Sequence, residues 1–196
     1  MATAATAPAR TRFVLQPLSG TRIRDLALVL AGIALTAVCA QIAVPVPGSP
    51  VPITGQTFAV MLVGAGLGVR LGTTAMIGYV GLGALGLPIF SDASHGAQVL
   101  LGPTGGYLVG FLVAAPLMGW AAARGWDRTV LRAFPVFLLG QLVIFGIGLP
   151  WLAVVAHLGP AATLAAGFTP FVLGGIVKGI LAGALLPAAW QLRGRP

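Results

Sequence analysis

Charge is what this chain has least of. Of its 196 residues only 7% are Asp, Glu, Lys or Arg, where a soluble domain carries roughly a quarter because its surface must face water. With 58% hydrophobic residues and a mean hydropathy of +1.00, the deficit excludes a water-soluble globular domain and makes lipid the solvent. Acids are scarcer still: Asp25, Asp92 and Asp127, with His95 and His157 the only histidines. No Ser-His-Asp set, HExxH motif or carboxylate pair can be assembled inside a membrane from these, which leaves a small intramembrane enzyme as a distant alternative. The lone cysteine, Cys39, permits no internal disulfide and no cysteine cluster. It reads as a small buried apolar residue.

The net charge of +8 would raise nucleic acid as a partner if the basic residues formed a patch with interleaved aromatics. They do not. Ten single arginines stand between apolar runs, so the charge is topological. Breaks at Pro, Gly and charge predict helices near 25–44, 55–69, 71–87, 104–123, 130–156 and 169–191. The arginines fall in the N-terminal tail (Arg10, Arg12, Arg22, Arg24), after the second helix (Arg70), around the loop after the fourth (Arg124, Arg128, Arg132) and at the C-terminus (Arg193, Arg195). Loops near 45–54, 88–103 and 157–168 hold no Lys or Arg. Because positive loops stay cytoplasmic, the chain is expected to be an all-α, polytopic bundle of six transmembrane helices in the cytoplasmic membrane, both termini inside. Residues 1–21 read as a disordered tail and 22–192 as one transmembrane domain. The charged start resembles a signal peptide, but the apolar run that follows is long enough to span a bilayer, so an uncleaved first helix is expected. Asp25 and Asp127 are expected to neutralise Arg24 and Arg128.

Glycine is abundant, at 29 residues. Four-residue spacings (Gly175, Gly179 and Gly183; Gly106 and Gly110) read as stripes that let helices approach closely in lipid. Gly81-x-Gly83-x-x-Gly86 has dinucleotide-binding spacing, but it ends an apolar helix before Pro88 rather than linking a strand to a helix, so the cofactor reading fails.

Lys178, the only lysine, lies well inside the sixth predicted helix. An intramembrane ammonium is costly, faces the bundle interior and needs a partner. Either backbone carbonyls, Asp92 or snorkelling could satisfy it, or it binds an anion in a cavity open to the outside. Nearby, Val44-Pro-Val-Pro-Gly-Ser-Pro-Val-Pro-Ile-Thr54 is stiffened by four prolines and cannot continue a helix; it is placed to form a lid. Gly102-Pro103-Thr104-Gly105-Gly106-Tyr107 opens the fourth helix, offering free backbone N–H donors, or is simply a proline-led helix start.

Three stretches carry a resemblance to a known family: Pro50-Val-Pro-Ile-Thr-Gly-Gln-Thr57, Gly81-Leu-Gly-Ala-Leu-Gly-Leu-Pro-Ile-Phe90 and Leu101-Gly-Pro-Thr-Gly-Gly-Tyr-Leu-Val-Gly-Phe111. Over about residues 20–192 the chain resembles the BioY family, biotin-specific S components of energy-coupling-factor (ECF) transporters. The resemblance implies a subunit that binds biotin, holds no cofactor, and works with a transmembrane coupling subunit and two ABC-type ATPases that hydrolyse ATP. An S component for another small vitamin is the alternative in the same class. The implied site has Lys178 meeting a negative or carbonyl group, Gln56 and Thr104 to Tyr107 (through Gly105 and Gly106) offering hydrogen bonds, Phe90 and Val99 around the bicyclic ring, and Asp92 as a counter-charge. Ala27 and Ala31 resemble the docking surface of S components. One departure stands out. Many members carry an acid three residues before the lysine, where this chain has Gly175.

Overall fold

The computed structural model describes residues 21–192. Helices fill most of that span: α1 (Arg22–Gln41), α2 (Gln56–Ala84), α3 (Ala97–Leu101), α4 (Gly105–Ala123), α5 (Val130–Val155), α6 (Pro160–Gly167) and α7 (Phe171–Leu192). Two short strands, β1 (Ala43–Val44) and β2 (Ile53–Thr54), pair antiparallel between α1 and α2. The expected tail lies outside the described residues except for Thr21, as do Arg193 and Arg195. Thr21 N-caps α1, its hydroxyl accepting the Arg24 N–H at 3.4 Å. The helix therefore opens at Arg22, earlier than the expected 25, because Thr at the N-cap satisfies an otherwise orphaned donor.

Five helices are long and apolar enough to cross a membrane, and one of them is folded back on itself. Inside α2, Gly68 has φ 79° and ψ 179°, a conformation essentially restricted to glycine. Beyond it the chain doubles back. The Gln56 side chain donates to the Tyr79 hydroxyl at 2.7 Å, whereas a straight helix would hold these residues about 35 Å apart. A Cβ on Gly72 would lie 3.0 Å from the Gly64 Cα. Among the described residues the bundle thus has six long apolar helical segments: α1, the two halves of α2, α4, α5 and α7. The expected break between 69 and 71 is displaced by about two residues, to the glycine rather than to the arginine after it.

The two halves of α2 are short for a bilayer, and the surrounding helices bury them; Val60, Met61, Ala75, Met76 and Tyr79 are fully buried. Close approach is made by missing side chains. A Cβ on Gly119 of α4 would strike the backbone of Gly68 and Val69. One on Gly110 would meet the Ile144 backbone, and Gly179 and Gly183 face Phe134 of α5. The glycine stripes are thus packing seams, as expected for helices that associate in lipid. Outward faces carry exposed Leu26, Leu30, Leu142, Leu173 and Ile180.

Among the described residues, the arginine-bearing segments (the start of α1, the Gly68 turn and the α4–α5 loop) gather at one end. Asp127, in the α4–α5 loop, is buried, and its Oδ2 accepts the Trp190 indole N–H from α7 at 2.7 Å. Arg128 lies over the Trp190 ring and Arg124 over Trp120. Asp127 therefore does more than neutralise Arg128: it ties α7 to the loop, while its Oδ1 has no partner. Burial pushes this carboxyl above the usual aspartate range, opposed by the indole bond and by Arg128. Because the folded state holds the proton more tightly than the unfolded chain, this group's contribution is fully present at low pH and is lost as pH rises. Asp127→Asn keeps an acceptor for the indole and removes the buried charge. Its thermal stability in detergent is expected to exceed wild type by on the order of 1 kcal/mol at pH 8, with the difference shrinking toward pH 4. A difference independent of pH would contradict this account.

Candidate ligand-binding site

At the end opposite the arginines, a cavity opens between the first half of α2, α4, α5 and α7. It contains about 600 Å³ of non-atom space, part of it open to solvent. Lys178 supplies its cation. The ammonium donates to the Thr54 carbonyl at 2.5 Å and to the Thr57 hydroxyl at 3.2 Å. Both partners are neutral. Of the acids, Asp25 lies in the first turn of α1 and Asp127 at the far end. Asp92 sits exposed in a 3-10 turn. The expected counter-charge is therefore not at the lysine. With two of its three protons engaged, the ammonium keeps donor capacity for an anionic or carbonyl group.

The lid expected at 44–54 is present, built as a short hairpin with residues 45–52 at its tip. The Ser49 hydroxyl donates to the Ala166 carbonyl of α6 at 2.7 Å and accepts the Val51 N–H at 3.0 Å. This latch spans from the α1–α2 connection to the α5–α7 connection. Val51 and Pro52 are thereby turned into the cavity lining. Gly55 permits the tight exit from the hairpin, since a Cβ there would meet the Cys39 carbonyl at 2.6 Å.

Six of the nine expected ligand residues meet in this lining: Gln56, Phe90, Val99, Thr104, Tyr107 and Lys178. Their polar atoms differ in availability. Gln56 accepts from the Thr54 hydroxyl at 2.9 Å and donates to Tyr79, whose own hydroxyl donates to the Ile89 carbonyl at 2.9 Å. That chain fixes β2 and the 85–96 loop, so Gln56 mainly positions its neighbours. Tyr107 donates its hydroxyl proton to the Gly167 carbonyl at 3.0 Å, and its ring stands edge-on to Phe145. Phe90 packs edge-on to Tyr79 in the space left by Gly83, which explains the glycine of the discarded dinucleotide spacing. Thr104, in the lining, is the N-cap of α4 and makes no capping bond from its side chain.

Gly105, Gly106 and Asp92 are not in the lining. A Cβ on Gly105 would collide with the Leu100 carbonyl, and one on Gly106 with the Trp151 side chain. Their bareness serves the joint between α3, α4 and α5, where Trp151 also donates to the Gly102 carbonyl at 2.9 Å. Sequence reasoning missed Thr57, Phe145, Phe171 and Gln141, which complete the wall. Phe145 contacts Tyr107, Phe168 and Phe171 edge-on, giving an aromatic side opposite the polar one. Gln141 had a signal: it is the one amide in the apolar run of α5, and polar residues at membrane depth are functional candidates. Its Nε2 donates to the Gly175 carbonyl at 2.9 Å, in the space a Cβ at 175 would enter.

A multi-span bundle with a lidded, mostly apolar cavity and a few convergent polar groups defines a membrane protein that binds a small organic ligand. The chain belongs to the BioY family, whose profile matches residues 9–195. It is 37% identical over 164 residues to biotin transporter BioY2 of Lactococcus lactis, covering 84% of this chain and 88% of that protein. Against biotin transporter BioY of Thermotoga maritima the identity is 41% over 157 residues, covering 79% and 90%. The fold matches a crystal structure described as the S-component for biotin from an ECF-type ABC transporter, with TM-score 0.81 and 24% identity over 91% of this chain and 96% of that one.

If the Ser49–Ala166 bond holds the lid shut, Ser49→Ala loses one neutral hydrogen bond across it. Release of prebound radiolabelled biotin is expected to speed up roughly three- to tenfold. An unchanged release rate would show that the latch does not control exit.

Proposed function

We propose that this protein is a biotin-binding substrate-specificity subunit that takes up the vitamin across the cytoplasmic membrane. The observation that carries the reading is the half-buried Lys178 ammonium, held by neutral partners beside an aromatic wall and beneath a latched lid. Biotin offers what this cavity asks for: a compact bicyclic ring for Phe90, Phe145 and Phe171, and a ureido carbonyl or a carboxylate for the lysine. Its relatives bear the name of biotin transporters, and the protein acts as a binding subunit rather than an enzyme. ATP hydrolysis belongs to partner subunits, proposed as a transmembrane coupling protein and two ABC-type ATPases. The arginines clustered at the end away from the cavity support cytoplasmic termini and a cavity that loads from outside.

Docking of the coupling subunit is proposed on α1. Ala27 and Ala31 are exposed there, and Ala31 borders an apolar groove shared with Leu62, Leu67 and Leu185. A helix laid on this groove would meet small and aliphatic side chains without burying a charge.

Equilibrium titration of the detergent-solubilised protein with biotin, beside Lys178→Ala, tests the reading. A charged hydrogen bond to ligand contributes about 1.5–3 kcal/mol, so the variant is expected to bind roughly ten- to 150-fold more weakly. Unchanged affinity would remove Lys178 from the site. Absence of binding by folded wild type would overturn the biotin assignment and call for other vitamins.

A further inference from the structure

Gln141 lies in α5 with only 5% of its surface exposed, facing α7 across the cavity wall. Its side chain can point in only one sense. The Gly175 carbonyl beside it is an acceptor, so the amide must turn its NH2 toward α7, as the 2.9 Å bond records. The carboxamide oxygen is thereby left pointing away from Gly175, and no group of the described residues donates to it. It is not among the fully buried orphaned atoms, which are Thr73 Oγ1 and Asp127 Oδ1, so it keeps some exposed surface. Gln141 lines both the cavity and an apolar groove between α5 and α7, and the cavity is the one of the two that carries polar partners for a ligand.

Gly175 makes this arrangement possible. A Cβ at that position would sit 2.8 Å from Gln141 Nε2, displacing the amide. Three residues further along the same helix is Lys178, and positions i and i+3 share a helix face. The seam of α5 and α7 at the cavity therefore presents a donor, Lys178 of α7, and an acceptor, the oxygen of the Gln141 amide anchored at Gly175 one turn before it. A carboxylate could use only the lysine and would leave the Gln141 oxygen unpaired, a cost on binding. A cyclic urea presents a carbonyl flanked by N–H groups and could use both.

We propose that Gln141 is a ligand-contacting, specificity-determining residue, whose Oε1 accepts a ring N–H of the bound molecule, and that Gly175 is its positioning residue. The proposal rests on the biotin reading above and deepens it, placing the ureido ring at α7 with its carbonyl toward Lys178.

The test is a thermodynamic cycle on purified protein in detergent. Wild type, Gln141→Leu and Gly175→Ala are each titrated with biotin and with its two mono-N-methyl ureido derivatives. Thermal unfolding without ligand reports on the fold. Gln141→Leu is expected to weaken biotin roughly ten- to hundredfold, by leaving a buried N–H unpaired, and Gly175→Ala is expected to weaken it in the same direction. For one of the two methylated derivatives, the penalty seen in wild type should largely disappear in Gln141→Leu, because the bond it removes is already gone. Biotin affinity unchanged in a folded Gln141→Leu would overturn the proposal while leaving the biotin reading intact. So would methylation penalties that are the same in both proteins, which signal steric exclusion. If Gln141→Leu does not fold, Gly175→Ala and the wild-type comparison decide: derivatives that both bind wild type as tightly as biotin overturn the contact. Wild type that binds no biotin at all overturns both readings together.

Discussion

A single ammonium inside an apolar bundle sets the terms for the rest of this structure. Placing Lys178 at membrane depth is costly unless it is hydrogen-bonded or paired, and its partners among the described residues are both neutral. The solution is one carbonyl and one hydroxyl: β2 delivers the Thr54 carbonyl and the start of α2 delivers the Thr57 hydroxyl. Both depend on the hairpin that follows α1, and that hairpin also carries the lid. The cation, the lid and the cavity mouth are therefore one assembly, so whatever engages the lysine also acts on the segment that closes over it.

Compactness makes this assembly possible. Six spans fit around one cavity because glycines bring backbones together at the α2–α4, α4–α5 and α5–α7 seams, and because Gly68 lets α2 reverse within the bundle. The reversal brings Tyr79 back beside Gln56, closing the Thr54–Gln56–Tyr79–Ile89 chain. That chain steadies the floor on which Phe90 packs. Polar groups in the lining thus divide between those fully engaged in holding the site in shape and those with hydrogen-bonding capacity to spare, among them Lys178, Thr104 and Gln141.

Much of this was legible in the sequence, for identifiable reasons. Hydropathy and the arginine pattern are properties of lipid as solvent, so they reported the spans and their grouping of loops. Proline marked 44–54 as non-helical, but its two-residue strands and the Ser49 latch depend on α6, a distant element that was itself read as loop. The helix start at 104–106 was legible as a helix start; its glycines were read toward a ligand because the sequence does not reveal that Trp151 and Leu100 occupy the space. Asp92 was drawn to Lys178 by charge alone, although its turn holds it exposed. Gln141 went unnoticed because the search followed charges, and because its meaning depends on the bare Gly175 across the seam.

The most direct test of the central claim is a structure of the protein with biotin bound. The account predicts the vitamin inside the cavity, a ligand oxygen within hydrogen-bond distance of Lys178 Nζ, and its bicyclic ring against Phe90, Phe145 and Phe171 under a closed 45–52 lid. Biotin bound elsewhere on the bundle, with Lys178 still satisfied only by Thr54 and Thr57, would contradict it.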